Sequence, residues 1–316
     1  MSSTVTVLGA SGNIGKLLVP YLSARGYQVR AVGRSRPSFD LPGVTNHRVA
    51  YSEQEALNQA CAGTSAIYML IGLEYKTNVW QQEWPPLTER LILAAQFSGS
   101  KLIFFDNVYG YGLVSGSINE ETPLNPNTKK GAVRAKMDEM LLQAITSGQI
   151  RAVLAKAPDF YGPGITTSLL GDRFFDLLIN KQTLEFFGNP EMIHNYAYVG
   201  DLAPALEKLA NSDFIGNIHL PTGPTITGYQ MAEILKTLAG NDLKVAPMRQ
   251  STAWWLGVFI PILRELHEMM YQSENPFNFS SIKIMKMFPD LKITSYEDGL
   301  AQTIKWYKNH IPAKNK

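Results

Sequence analysis

Cysteine is nearly absent from this chain: Cys61 stands alone in 316 residues. An internal disulfide is therefore excluded, and such scarcity fits a reducing compartment. Histidine is sparse too, and His47, His194, His219, His267 and His310 are too dispersed to follow any metal-ligand spacing, so no metal site is expected. Charge of one sign is never concentrated. The 29 Lys and Arg against 27 Asp and Glu leave a net +2, with no basic block to mark a nucleic-acid partner. Long hydrophobic runs are missing as well. The longest, Ala253–Leu263, falls well below the ~20 residues of a membrane-spanning helix, carries Pro261 and is followed by Arg264 and Glu265. The chain opens on Met1-Ser2-Ser3 and passes at once into Val5-Thr6-Val7-Leu8, with no basic segment or cleavage site. The expectation is a soluble, cytoplasmic protein without a membrane or nucleic-acid partner.

What is present is an ordinary globular composition, 45% apolar and 18% charged, enough to bury a substantial core. The first half alternates short apolar strands with helical patterns, the signature of βαβ units and a parallel sheet. Strands are expected at Val5–Leu8, Gln28–Val32, Val44–Ala50, Ser65–Leu70, Leu102–Asp106 and Ala152–Lys156. Helices are expected at Ile14–Ala24, Gln54–Ala60, Pro86–Phe97 and Ala132–Ile145. After Lys156 the rhythm changes at Pro158, Gly162-Pro163-Gly164 and Gly188-Asn189-Pro190. The spacing predicts an α/β fold: a doubly wound, Rossmann-type parallel sheet over 1–161, then a smaller α+β substrate lobe over 162–316. Within that lobe a stretch near 195–225, including a helix Asp201–Ala210, is expected to return to the sheet. Gly228–Ala239 and Ser295–Lys308 read as further helices, and Ala313–Lys316 as a frayed tail.

The strand Val5–Leu8 runs into Gly9-Ala10-Ser11-Gly12-Asn13-Ile14-Gly15 and then a helix. Glycine serves three needs here: a tight turn, close backbone approach to a pyrophosphate, and helix–strand packing. A helix N-terminus beyond it offers free N–H groups and a positive dipole end to phosphate. Gly9, Ser11, Gly12, Asn13, Ile14 and Gly15 are thus cofactor-binding candidates, with Leu70 and Pro158 at later strand ends. The second strand ends Ala31-Val32-Gly33-Arg34-Ser35-Arg36. An NAD site places Asp or Glu near this point; here Arg34 and Arg36 offer guanidinium forks to a 2′-phosphate. NADP(H) is favoured and NAD(H) stays open.

With these motifs the chain resembles the extended short-chain dehydrogenase/reductase superfamily, the NAD(P)-dependent epimerase/dehydratase group. Lys156-Ala157-Pro158-Asp159-Phe160-Tyr161-Gly162-Pro163-Gly164 is similar to its R-P-x-N-V-Y-G-P-G segment, and Asn195-Tyr196-Ala197-Tyr198-Val199-Gly200-Asp201-Leu202 to its Y-V-x-D-L segment. The resemblance implies a six- or seven-stranded Rossmann domain and a C-terminal substrate lobe. It also implies a Ser or Thr and a Tyr-x-x-x-Lys pair, the tyrosine as acid/base and the lysine holding the nicotinamide ribose. Homodimers through two helices flanking the sheet are common in the superfamily.

The catalytic positions depart from that pattern. In Phe104-Phe105-Asp106-Asn107-Val108-Tyr109-Gly110-Tyr111-Gly112, one register puts Asn107 where the serine belongs and another puts Phe105 there. Asn107 is preferred, because an amide still donates to a substrate oxygen. The Tyr-x-x-x-Lys positions carry Lys130-Gly131-Ala132-Val133-Arg134, with Asp138 four residues on. The i, i+4 spacing keeps both cations on one helix face, as in the atypical branch with isoflavone and phenylcoumaran benzylic ether reductases, where a lysine is implicated as acid/base. A lysine does this work where burial and a neighbouring cation favour its neutral form. Lys130 is then the candidate acid/base and Arg134 the candidate ribose holder. The alternative is a solvated basic helix start made of Lys129, Lys130 and Arg134.

Tyr109, Tyr111, Asp159 and Tyr161 are candidate substrate contacts, and Trp254, Trp255, Phe259, Tyr271 and Phe277 either line a pocket or pack the lobe. The expected function is an NADP(H)-dependent oxidoreductase with a lysine acid/base, acting on a small carbonyl, alcohol or enone. Two alternatives stand beside it: a non-catalytic, NmrA-like redox sensor that binds NADP(H), and a nucleotide-sugar epimerase or dehydratase.

Overall fold

The computed structural model describes residues 3–180, 183–240 and 242–310, so the Ala313–Lys316 tail lies outside the described residues. Seven parallel strands form one sheet. They include β1 (Thr4–Leu8), β2 (Gln28–Gly33), β3 (Val44–Arg48), β4 (Ala66–Met69), β5 (Lys101–Asp106) and β7 (Ala152–Lys156). The two-residue β6 (Ser117–Ile118) lies outside this sheet, and the seventh strand is Gly216–His219. Their order is Gly216–His219, β7, β5, β4, β1, β2, β3, with the reversal beside β1 that defines a doubly wound sheet. Strands buried on both faces need near-continuous apolar sequence. That is why β4 (AIYM) and β7 (AVLAK) are buried at every position. The polar exceptions find partners: Thr6 in β1 donates its hydroxyl to the Ala60 carbonyl at 2.8 Å.

Helices that support the sheet include α1 (Gly15–Ala24), α2 (Gln54–Cys61), α3 (Thr77–Ser98) and α4 (Lys129–Thr146). The α3 and α4 helices share a core in which Trp84, Leu87 and Leu91 meet Met137 and Leu141. Sequence places the start of α3 at Pro86, but the helix begins at Thr77 and runs through Pro85 and Pro86. Proline inside a helix loses a hydrogen bond. Here burial of Trp80 and Trp84 in the preceding turns outweighs that loss.

The chain divides into two compact units of comparable length: 1–110, 129–156 and 203–219 in one, and 111–128, 157–202 and 220–316 in the other. The first holds the sheet. Segment 203–219 belongs to it through the C-terminal part of helix Val199–Asn211 and the strand Gly216–His219, which pairs with β7. Lys101 secures that helix end, donating from Nζ to the Leu209 and Ser212 carbonyls at 2.6 Å each. A lysine there satisfies orphan carbonyls and meets the negative end of the dipole.

The second unit interrupts the first at 111–128, a break with no hydrophobic-periodicity signal, and is built from helices and two-stranded ladders. One ladder pairs Ala197–Tyr198 with Phe160–Tyr161, so the two motif segments on which the family resemblance rests lie side by side. A core of Phe174, Phe175, Leu235, Leu300 and Tyr307 holds its helices together.

Candidate active site

Gly9 leaves β1 with φ +82°, where L side chains rarely sit, and a Cβ there would meet the Leu70 carbonyl oxygen at 2.5 Å. A Cβ at Gly15 would meet the Ala10 carbonyl oxygen at 2.5 Å. These two glycines bring the loop against the end of β4 and fold α1 onto it. Gly12 differs, with only the Gly9 oxygen close, at 3.2 Å. Ser11 and Gly12 are exposed, Asn13 is half-buried and Ile14 is buried. The first turn of α1 carries no carboxylate. An exposed glycine corner before a helix N-terminus without local negative charge has the chemistry of a phosphate cradle. Tyr51 braces it from beneath, its hydroxyl accepting from the Gly9 N–H at 3.1 Å, and burial pushes that phenol up to about 12. Arg34 and Arg36, just past β2, are both exposed.

The ends of β5 and β7 and one face of α4 form the second part of the site. Asp106, at the end of β5, accepts at Oδ1 from the Asn107 N–H and from Arg134 Nη1, both at 2.8 Å. Asn107 in turn accepts the Tyr109 N–H at Oδ1, 3.0 Å away, which fixes the turn after the strand. The Arg134 guanidinium lies 4.4 Å from the ring centroid of Trp80 and 4.2 Å from that of Trp84. One helical turn later, Asp138 accepts from Lys156 at the end of β7. Side chains of both pairs are at most 8% exposed, and buried charges persist only when so answered. Burial pushes the Asp138 carboxyl up to about 6, with nearby Asp106 adding to the shift and Lys156 opposing it.

Lys130 begins this helix face and is fully buried. Its Nζ donates to Thr77 Oγ1 at 2.9 Å and lies 4.8 Å from the Tyr75 ring centroid. The Tyr75 hydroxyl donates to that of Tyr109 at 3.4 Å, while Trp80 stacks on Tyr109 with centroids 6.1 Å apart. A solvated basic helix start is therefore not what forms; only Lys129 of the three cations is exposed. Arg134 is turned to Asp106 and two indoles. Sequence does not single out Tyr75, Thr77 or Trp80 as site residues. Thr77 and Lys130 are 53 positions apart, and no local pattern pairs them.

The remaining candidates belong to the second unit. Tyr111 and Tyr161 are each 1% exposed. Tyr161 packs against Tyr198 and Tyr296, with centroids 5.5 and 6.1 Å away. Tyr111 is likewise enclosed. Pro158 is buried, and Asp159 is half-buried. The Asp159 Oδ2 lies 3.8 Å from His194 Nε2. His194 is stacked between Tyr196 and Phe277 at 4.6 and 4.5 Å, with Nδ1 2.6 Å from the Asn195 carbonyl. Burial raises the Asp159 carboxyl and lowers the His194 imidazole, each partly opposed by the other. Among the described residues no group of His, Cys, Asp and Glu is arranged to hold a metal ion.

The model of the NAD dependent epimerase/dehydratase family matches residues 5–217. The chain belongs to that family, one of NAD(P)-binding, Rossmann-type enzymes. It is 25% identical over 206 residues to a dTDP-glucose 4,6-dehydratase of Streptomyces griseus, a match covering 65% of this chain and 57% of that one. It is 28% identical over 175 residues to a dTDP-6-deoxy-L-talose 4-dehydrogenase (NAD(P)(+)) of Kitasatospora kifunensis, covering 51% and 53%. The matches thus span little more than half the length of these relatives.

Among solved structures, the dTDP-glucose 4,6-dehydratase of Streptomyces venezuelae, with NAD bound, superposes with a TM-score of 0.79 at 19% identity, covering 97% of each chain. The NAD complex of the Thermus thermophilus UDP-glucose 4-epimerase gives 0.74 at 18% identity, covering 98% of this chain and 100% of that one. At these identities the likeness establishes the fold.

Proposed function

We propose that the chain is an NAD(P)(H)-dependent enzyme that transfers hydride at a hydroxyl- or carbonyl-bearing carbon of a nucleotide sugar. The observation that carries this reading is the pairing of a phosphate-cradling glycine corner with a buried cation, Lys130, held by a hydroxyl. The substrate class follows the relatives, which act on dTDP- and UDP-sugars by name; none of those cited supports the small carbonyl or enone ranked first from sequence. A nicotinamide bound there would supply or accept the hydride. Gly12, Ser11 and the start of α1 would hold its pyrophosphate, and Leu70 would flank it.

Arg34 and Arg36 favour NADP(H), since no acid stands after β2 to bind a 2′-hydroxyl. The solved neighbours cited hold NAD, so NAD(H) is the competing cofactor.

In this proposal the proton moves along hydroxyls. Thr77 Oγ1 gives its hydrogen to the developing substrate oxyanion and takes one from Lys130 Nζ. The reverse path deprotonates an alcohol. The Asn107 Nδ2 amide orients the substrate oxygen, its Oδ1 being already engaged by Tyr109 N–H.

Replacement of both halves of Tyr-x-x-x-Lys by Lys130 and Arg134 favours one other reading, a redox sensor that binds nucleotide without turnover. Titration with NADPH and NADH, followed by a panel of dTDP- and UDP-sugars at the nicotinamide absorbance, separates the two. Binding with turnover that falls at least ~100-fold in Lys130→Met supports the enzyme. Tight binding without turnover across the panel supports the sensor.

A further inference from the structure

The apolar stretch Ala253–Leu263 is too short to span a membrane, and no helix among the described residues is long and apolar enough to do so. Within the stretch Ala253, Gly257 and Leu263 are buried, but most of its large apolar side chains are not. It folds as two seven-residue helices, Gln250–Leu256 and Pro261–His267, joined by a tight reversal. Gly257 lets them meet, for a Cβ there would come within 3.0 Å of the Arg264 backbone nitrogen. The base is pinned by Glu274, whose Oε1 accepts the Gln250 N–H at 2.9 Å and whose Oε2 pairs with Arg249 at 3.3 Å.

The tip is open to solvent: Phe259 is 84% exposed, Trp255 and Val258 67%, Trp254 52%, Ile262 48% and Ile260 42%. Tyr271 and Phe277 are buried, so the aromatic group read together in the sequence separates into packed residues and an uncovered crown.

We propose that this hairpin docks the protein on a phospholipid bilayer surface. A chain that leaves so many neighbouring apolar groups in water marks an interaction site, and three features choose lipid as the occupant. First, no residue from Gln250 to Leu263 is ionisable. That is a neutral insert, and its flanks are charge-balanced, Arg249 paired with Glu274 and Arg264 followed by Glu265. Second, indoles prefer the membrane interface, and Trp254 and Trp255 sit together there, ring centroids 4.7 Å apart. Third, the depth fits: each helix of seven residues is only ~10 Å long. The same dimension matches the ~5–10 Å to which interfacial helices sink. The docking needs no spanning helix and does not rest on the proposed activity.

The test is flotation of the full chain with vesicles of phosphatidylcholine alone and of phosphatidylcholine with phosphatidylglycerol. The wild type should float with both. A Trp255→Ser/Phe259→Ser variant should lose the bound fraction roughly tenfold or more while keeping the wild-type circular dichroism. A wild type that stays unbound on both vesicles, or a variant that binds as well, overturns the proposal. So does a vesicle-free dimer, seen by sedimentation, that the same substitutions dissolve, which would assign the crown to a second copy.

Discussion

The glycine corner after β1 and the cationic face of α4 are both visible from family spacing, yet they relate to it in opposite ways. At the corner the residue types are constrained by backbone geometry: Gly9 and Gly15 would each drive a Cβ to 2.5 Å from a carbonyl oxygen. On α4 only the spacing is kept. Lys130, Arg134 and Asp138 fall one helical turn apart, and each side chain is answered by a different element: Thr77 at the start of α3, Asp106 at the end of β5, Lys156 at the end of β7. Backbone constraints tolerate one residue, whereas a side-chain network can be rebuilt as long as every buried charge keeps a partner.

The sharpest way to break that contrast is to orphan a charge. Arg134→Met leaves the Asp106 carboxylate buried without its cation and should cost about 3–5 kcal/mol in urea unfolding. Adding Asp106→Asn should return a good part of it; a double variant no better than the single would mean the pair is not a coupled unit.

Next comes the glycine corner. Gly9→Ala should cost about 3 kcal/mol, combining left-handed strain with a backbone collision. Gly26 has the same φ of +82° with nothing within 4 Å of its would-be Cβ, so Gly26→Ala should cost only about 1 kcal/mol. Equal losses would remove the collision from the account.

A smaller effect lies in pH. Burial raises the Asp138 carboxyl to about 6, so the folded state binds this proton more tightly than the unfolded chain. The stability it contributes is fully present below the ordinary carboxylate pKa and is lost as pH rises through about 6, at up to about 1.4 kcal/mol per pH unit. Thermal melts between the two values should show that slope in the wild type and not in Asp138→Asn. Matching slopes would contradict it.

The smallest effect is expected at the hairpin. Trp255→Ser/Phe259→Ser should leave unfolding free energy within about 0.5 kcal/mol of wild type, in contrast to any change on α4.

How legible each region is in sequence follows the same physics. The sheet strands of the first unit can be read because burial on both faces imposes apolar runs, and β7 lies at Ala152–Lys156 as expected. The start of α3 is misread because Pro85-Pro86 signals a helix start locally, while burial of Trp80 and Trp84 decides it globally. Several ladders of the second unit, such as Ile193–His194 with Ile226–Thr227, are two residues long and leave no periodicity to detect. Within the site, spacing reveals Gly9, Lys130 and Arg134. It does not reveal Tyr75 and Thr77, because what selects them is a contact across the fold. Trp254, Trp255 and Phe259 are visible as residues, but only the structure shows them uncovered.

The central claim, that a proton passes from Lys130 through Thr77 to substrate, is tested most directly by single-turnover hydride transfer in wild type, Lys130→Met and Thr77→Val with the nucleotide sugar that turns over. The account predicts that both variants bind nucleotide as the wild type does and lose the hydride step by a similar factor. It also predicts that the double variant is little worse than either single one. A Thr77→Val enzyme that transfers hydride at the wild-type rate would contradict it.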